Sequence, residues 1–279
     1  MHTHPLKDHV IIITGGGTGL GLAMGMKLAD LGASLVLASR SAEHLEAGAA
    51  KLREHGARVL TVPCDIREPE AVDALVEHTL EEFGQINGLI NNAAGNIACP
   101  TAHLSTNAFD AVVGIVLHGT FYCTRAVGKQ MLAQKIGGRI LSIVTTYAWT
   151  GSAFVVPSAC AKAGVLAMTQ SLAVEWGPYG IRCNAIAPGP FPTDGAWQRL
   201  MPDGMEAQMI ARNPTRRLGK PEELAELAAF LMSPATDFIN GECITIDGGE
   251  WLAGAGQFTA LEKLSPDEWK NLAQRAKGN

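Results

Sequence analysis

The sequence predicts an α/β protein, a doubly wound parallel sheet in a single domain with helices on both faces. Three observations carry this. Short apolar runs alternate with helical patterns along most of the 279 residues, the signature of strands joined by crossover helices. The runs are apolar throughout, as in strands covered on both faces. A glycine-rich turn, Thr14-Gly15-Gly16-Gly17-Thr18-Gly19-Leu20-Gly21, separates the first run from the first helix. With 47% hydrophobic and 18% charged residues, the chain can bury one sizeable core, and one domain of this length is favoured over two.

The first strand is expected over 10–13, and a helical pattern follows over 20–31. A second strand over 34–38 leads to a helix over 42–54, and a third over 58–62 to a helix over 69–83, with apolar spacing at Val72, Leu75, Val76 and Leu80. The fourth strand, 88–91, precedes a long helix over about 108–133. Strand five, 139–144, is followed by an alanine-rich helix over 157–176, and strand six by position spans 182–187. Prolines and glycines break the pattern over 188–214, which reads as an irregular, substrate-covering segment. A helix over 221–231 and a last strand over 243–246 close a nucleotide-binding core of about 8–250. The tail, 251–279, holds a short helix near 266–275.

A formal net charge of −5 offers no global attraction to nucleic acid or to an anionic membrane. No apolar run reads as a bilayer span, and the start resembles neither a signal nor a transit peptide, so a cytoplasmic location is expected. Cys64, Cys99, Cys123, Cys160, Cys183 and Cys243 are scattered without a Cys-x-x-Cys pair, as expected of reduced thiols. His2 and His4 read as a solvated terminus, and no metal site is predicted.

The glycine turn lets the backbone approach a pyrophosphate, while the helix start offers free N–H groups and partial positive charge. Gly15, Thr18, Gly19 and Leu20 are the contacts expected there. Asn92 and Ala93, in Asn91-Asn92-Ala93-Ala94-Gly95, follow strand four, where they face the adenosine side of a dinucleotide. Asp65, after strand three, is placed for the adenine, and Pro188 and Gly189, after strand six, for the nicotinamide carboxamide. Each group lies at a strand's carboxyl end, where open α/β sheets bind ligands. An NAD site places an acid after strand two; Ser39 and Arg40 stand there and suit a 2′-phosphate, so NADPH is the expected cofactor.

Together with Lys162, Pro188-Gly189 and Asp247-Gly248-Gly249, these motifs resemble the short-chain dehydrogenase/reductase family and imply its Rossmann-type fold. Most of that family uses serine, tyrosine and lysine, the tyrosine four residues before the lysine. Here Thr145 replaces the serine, Ser158 the tyrosine, and Lys162 remains. A serine hydroxyl is a far poorer acid than a phenol, whose pKa is about 10. Tyr147 is the expected substitute. The family's asparagine on the preceding helix aligns with His118, read as a core histidine bonded to backbone in preference to a proton relay.

A closer resemblance runs over nearly the whole chain. Asn91 to Asn96, Thr145-Thr146-Tyr147-Ala148, Phe154 to Ala159, Ala161 to Gly164, Gly189-Pro190, Arg217-Leu218-Gly219, Ile239-Asn240-Gly241, Asp247 to Glu250, Gly256-Gln257-Phe258 and Glu268-Trp269 look like the mitochondrial type of 2,4-dienoyl-CoA reductase. That resemblance implies NADPH-dependent reduction of a 2,4-dienoyl-CoA to a 3-enoyl-CoA in the oxidation of unsaturated fatty acids. By position, Tyr147 and Asn96 would bond the thioester oxygen, Lys162 the nicotinamide ribose, and Ser158 would support the site. It also implies a homotetramer built through the helices at about 108–133 and 157–176. Trp149 and Phe191 are expected to shape the acyl pocket. For the CoA phosphates, Arg53, Arg58, Lys129, Arg199, Arg212, Arg216 and Arg217 are candidates, with none singled out. Two alternatives stay open: a family reductase for a carbonyl, an enoyl thioester or a small ketone, and a non-catalytic nucleotide-binding regulator.

Overall fold

The computed structural model describes residues 4–193 and 204–276. Seven strands, β1 (Val10–Thr14), β2 (Ser34–Ser39), β3 (Val59–Pro63), β4 (Gly88–Asn91), β5 (Gly138–Ile143), β6 (Ile181–Pro188) and β7 (Cys243–Ile246), form one sheet in the order β3-β2-β1-β4-β5-β6-β7. All neighbouring pairs are parallel, so each connection must cross a face of the sheet. The helices are α1 (Gly19–Asp30), α2 (Ala42–Glu54), α3 (Pro69–Phe83), α4 (Thr106–Val113), α5 (Thr120–Gln134), α6 (Tyr147–Thr150), α7 (Val156–Trp176), α8 (Met205–Arg212), α9 (Pro221–Met232), α10 (Glu250–Ala255) and α11 (Pro266–Ala276).

The strand pleat sorts the apolar residues into two cores. Ile11 and Ile13 of β1 and Leu35 and Leu37 of β2 point to one face, where Met24 and Leu28 of α1 and Leu224 and Ala228 of α9 cover them. Val10, Ile12 and Val36 point to the other, against Val72 and Leu75 of α3 and Cys123, Val127 and Met131 of α5. Period-2 alternation within an all-apolar strand is what a sheet with two dry faces requires. Local signals set the helix ends. The Ser41 hydroxyl accepts from the His44 N–H at 3.2 Å and starts α2, while Gly84, at φ 76°, stops α3.

Three expectations are corrected. The long fourth helix is not uniform: α4 and α5 are joined by a π-helical turn, Gly114–Gly119. The combined run Thr106–Gln134 is also long and apolar enough to cross a membrane by length and composition alone, although Val112, Val116, Cys123, Val127 and Met131 are packed inside the fold. The segment 188–214 is not wholly irregular, because it contains α8; its residues 194–203, Arg199 among them, lie outside the described residues.

The contact between α5 and α7 depends on one missing side chain. A Cβ on Gly128 would sit 2.3 Å from the Trp176 ring, and a buried indole cannot swing aside without opening the core. Gly128→Ala should cost about 1–3 kcal/mol of stability, read as a lower midpoint in urea unfolding.

Candidate active site

Strand order reverses between β1 and β4, opening a crevice at their carboxyl ends. A buried hydroxyl closes its floor. Thr14 Oγ1 accepts the Asn92 and Ala93 N–H groups, both at 3.1 Å, and donates to the Ile90 carbonyl at 3.4 Å. Asn92 returns the tie, its Nδ2 donating to the carbonyls of Thr14 (3.0 Å) and Gly15 (3.2 Å). Both residues thus hold the two loops together; Asn92, expected to face the cofactor, commits its amide donors to this clamp. Gly15 sits at φ 64°, where an L side chain is strained. At Gly21 a Cβ would lie 2.3 Å from the Gly15 carbonyl. Thr18 is the N-cap of α1 with extended backbone, and its side chain makes no capping bond, so the first N–H groups of α1, from Gly19 and Leu20 onward, remain open to an anion.

Around this cradle, the Ser39 hydroxyl reaches the Ser41 carbonyl at 3.4 Å and Arg40 is exposed. Asp65, expected at the adenine, is engaged by Arg67: Nε donates to Oδ1 at 2.9 Å and the backbone N–H to the same oxygen at 3.1 Å. The Arg67 side-chain bond holds the Asp65 carboxyl below the ordinary range, and nearby Arg40 adds to this. At the far side, Pro188 ends β6 and the Gly189 N–H donates to the Ile246 carbonyl at 3.0 Å, tying that turn to β7.

The reactive groups gather beside the crevice. Tyr147 lies on the one-turn helix α6, and its Oη is 3.1 Å from Ser158 Oγ on α7. Ser158 is only 2% exposed. Lys162, one turn further along α7, is 6% exposed and donates through Nζ to the Ile143 carbonyl. Thr145 Oγ1 is buried with no partner, an orphaned hydroxyl that a bound ligand would satisfy. Asn96 accepts the Ile97 N–H on its Oδ1 at 2.9 Å, and its Nδ2 is the donor end of the amide. The Cys99 N–H donates to the Phe154 carbonyl at 2.8 Å and fastens the Asn96 loop to the loop between α6 and α7.

Sequence reasoning missed how α6 is held. Trp149 packs edge-on against Trp251 of α10, ring centres 5.7 Å apart at 82°. Asp247 sets α10 in place, its carboxylate accepting the N–H groups of Gly249 (2.8 Å) and Trp251 (2.9 Å). The available signal was Asp-Gly-Gly itself, an acid placed to cap the helix that follows.

Residues 15–250 match the family described as "Enoyl-(Acyl carrier protein) reductase". A Bacillus subtilis protein described as "Probable 2,4-dienoyl-CoA reductase", (2E)-enoyl-CoA-producing, is 45% identical over 249 residues, 88% of this chain and 98% of its own length. The Caenorhabditis elegans "Probable 2,4-dienoyl-CoA reductase 3", (3E)-enoyl-CoA-producing, is 40% identical over 98% of this chain and 91% of its own. Among solved structures, a short chain dehydrogenase from Bacillus anthracis is 45% identical with a TM-score of 0.82, covering 88% of this chain and 98% of that one. The chain belongs to the short-chain dehydrogenase/reductase family. It is an oxidoreductase, and the glycine cradle, the open start of α1 and buried Lys162 fit a nicotinamide nucleotide.

Against the family pattern, the helix position four residues before Lys162 carries Ser158, and the phenol arrives from α6. His118 is not a core histidine: it is exposed, its ring 6.3 Å from that of Tyr122. It falls inside the π-helical turn, whose Val116 and Leu117 share a packed cluster with Ala161 of α7. Phe191, expected in the acyl pocket, is buried against Gly219. Of the basic residues considered for CoA phosphates, Arg53, Arg58, Arg212, Arg216 and Arg217 pair with Glu46, Glu82, Glu250, Glu262 and Glu223, and Lys129 is exposed on α5. Among the described residues no group of three metal-ligating side chains is assembled; His2 lies outside them. Burial pushes the Cys64 thiol up to about 11 and Cys183 to about 12, which leaves both as unreactive thiols.

Burial also pushes Lys162 down to about 8 from an ordinary 10.5. At neutral pH the folded, cofactor-free protein therefore carries a buried ammonium, which costs stability. Between pH 8 and 10.5 the unfolded chain binds more protons than the folded one, so this cost fades as pH rises. Unfolding in urea should show wild type gaining on Lys162→Met by on the order of 3 kcal/mol across that window.

Proposed function

We propose that this protein is an NADPH-dependent 2,4-dienoyl-CoA reductase, converting 2,4-dienoyl-CoA to 3-enoyl-CoA in the breakdown of unsaturated fatty acids. The observation that carries the reading is the phenol of Tyr147 at 3.1 Å from Ser158 Oγ, an acid displaced from the α7 position where carbonyl-reducing members keep it. A hydride acceptor conjugated to a thioester separates the attacked carbon from the oxygen that gains charge. The acid is then displaced from the helix position that serves a carbonyl directly, and Tyr147 comes from α6 rather than from α7. The names of the relatives at 40–45% identity support the same substrate class.

The nicotinamide supplies the hydride when bound. Tyr147 Oη and Asn96 Nδ2 donate to the thioester oxygen and stabilise the dienolate, a charge that in a dry site is worth far more to bind than in water. Ser158 holds the phenol in line. Lys162 holds the ribose, which gives its buried ammonium the partners that its single carbonyl contact lacks. Protonation at the α-carbon leaves the 3-enoyl product. Arg40 and Ser39 support the preference for NADPH, since the guanidinium can neutralise a 2′-phosphate. Exposed Phe121 on α5 and Val174 on α7 support a homotetramer through these helices; with no charged attraction to membranes, a cytoplasmic enzyme is the reading adopted.

Purified protein should oxidise NADPH with 2,4-hexadienoyl-CoA, with loss of the dienoyl absorbance, and leave acetoacetyl-CoA untouched; turnover of the ketone alone would make it a carbonyl reductase. Tyr147→Phe should lower kcat by about 10²–10⁴-fold, and Ser158→Ala by roughly tenfold, the worth of one hydrogen bond. The reverse order would mean that Ser158 is the acid. Arg40→Ala should raise KM for NADPH about 10–100-fold while leaving that for NADH unchanged.

A further inference from the structure

The helix that carries the phenol is held from two opposite sides. Tyr147 and Trp149 are two residues apart on α6, about 200° around a helix of 3.6 residues per turn, so their side chains leave it in opposing directions. On one side Tyr147 Oη meets Ser158 Oγ at 3.1 Å. On the other, the Trp149 ring meets Trp251 edge-on, ring centres 5.7 Å apart. A four-residue helix does not fix its own orientation. A single hydroxyl pair is a pivot about which such a helix can roll, and a ring contact on the opposite side removes that freedom.

What holds Trp251 is the sheet. Asp247 follows β7 directly and is 9% exposed; its carboxylate accepts the Gly249 N–H at 2.8 Å and the Trp251 N–H at 2.9 Å. Buried Asn213 donates through Nδ2 to the Asp247 carbonyl at 2.8 Å and fixes this residue from the side of α8. Ile246, one residue earlier, pairs in register with Pro188, and its carbonyl accepts the Gly189 N–H at 3.0 Å. The turn that suits a nicotinamide carboxamide and the indole that restrains α6 therefore hang from adjacent residues at one strand end. Trp149 is 40% exposed, and neither indole belongs to the buried clusters, so neither is a core residue of the fold.

We propose that Trp149 and Trp251 are positioning residues that set the phenol of Tyr147 relative to the nicotinamide, through α10 and Asp247. The proposal rests on the reading of Tyr147 as a donor to the thioester oxygen. Both indoles act through α6. Losing their contact lets α6 roll and displaces the phenol, while the glycine cradle and Lys162 hold NADPH as before.

Trp251→Ala should lower kcat for 2,4-hexadienoyl-CoA about 10–100-fold, as a displaced donor does, and leave the Kd for NADPH, read from its fluorescence, unchanged. Trp251→Phe keeps an aromatic edge for Trp149 and should retain most of the rate. In a Tyr147→Phe background there is no phenol to place, so Trp251→Ala should lower the residual rate by less than about twofold. A second readout needs no turnover. The chain has three tyrosines, so protein labelled with 3-fluorotyrosine gives three fluorine resonances, and Tyr147→Phe assigns one of them. Trp251→Ala should move the Tyr147 resonance and leave those of Tyr122 and Tyr179 in place. An unchanged kcat, an equal loss in both backgrounds, a matching fall in NADPH affinity or an unmoved Tyr147 resonance each overturns the proposal. Failure of wild type to reduce a dienoyl-CoA would instead overturn the assigned reaction, and the fluorine spectrum would still decide whether Trp251 holds the phenol.

Discussion

The clamp between Thr14 and Asn92 is the constraint on which the site depends. A parallel sheet whose order reverses between β1 and β4 necessarily splays its connections apart at that point. The cleft is therefore a consequence of topology, but its shape is not. One buried hydroxyl and one carboxamide, with five hydrogen bonds among Thr14, Gly15, Ile90, Asn92 and Ala93, hold the two loops at a defined separation. Glycine at 15 and 21 lets the backbones meet without β-carbons between them. The open start of α1 on one side and the Asn96 segment on the other both inherit their positions from this tie.

On that frame the reactive groups are divided between two elements. α7 is long and anchored by its packing, so Ser158 and Lys162 are rigid. α6 has only four residues, too few to hold itself by backbone bonds alone. Its direction comes from the two ends of its own side-chain contacts: Tyr147 to Ser158 within the cleft, and Trp149 to Trp251 outside it. Because Trp251 is set by Asp247, and Glu250 beside it pairs with Arg212 of α8, the turn after the last strand and α8 are linked by side-chain contacts to the helix that carries the phenol. A phenol carried on a short helix rather than a long one has freedom of position, and these contacts limit that freedom.

The buried ammonium of Lys162 shows the same balance. An interior charge with one carbonyl partner is a net cost to the fold, tolerated where function needs it. The orphaned hydroxyl of Thr145 lies in the same region. A buried charge with a single partner and an unpartnered hydroxyl in one region, beside apolar closed cores on both faces of the sheet, mark where the protein departs from stability in favour of binding.

Much of this was legible from residues in order. Apolar runs of four or five residues between helical patterns dictate a two-faced parallel sheet, since nothing else buries such strands on both sides. Glycines 15, 19 and 21, then Lys162 four residues after a serine where a tyrosine is usual, identify the nucleotide site and its anomaly. Side-chain direction was not legible in the same way. His118 was read as a core histidine, but in the π-helical turn Val116 is buried and His118 is exposed. Asp65 was expected at the adenine, and its pairing with Arg67, two residues on, was not foreseen. Asn92 was expected at the cofactor, and its tie between the two loops was not foreseen. The sequence determined which chemistries are present and on which elements, because period and composition are local properties. Only the tertiary structure decided which groups meet, as with Tyr147 and Ser158 or Trp149 and Trp251, because those meetings depend on how separate helices are packed against one sheet.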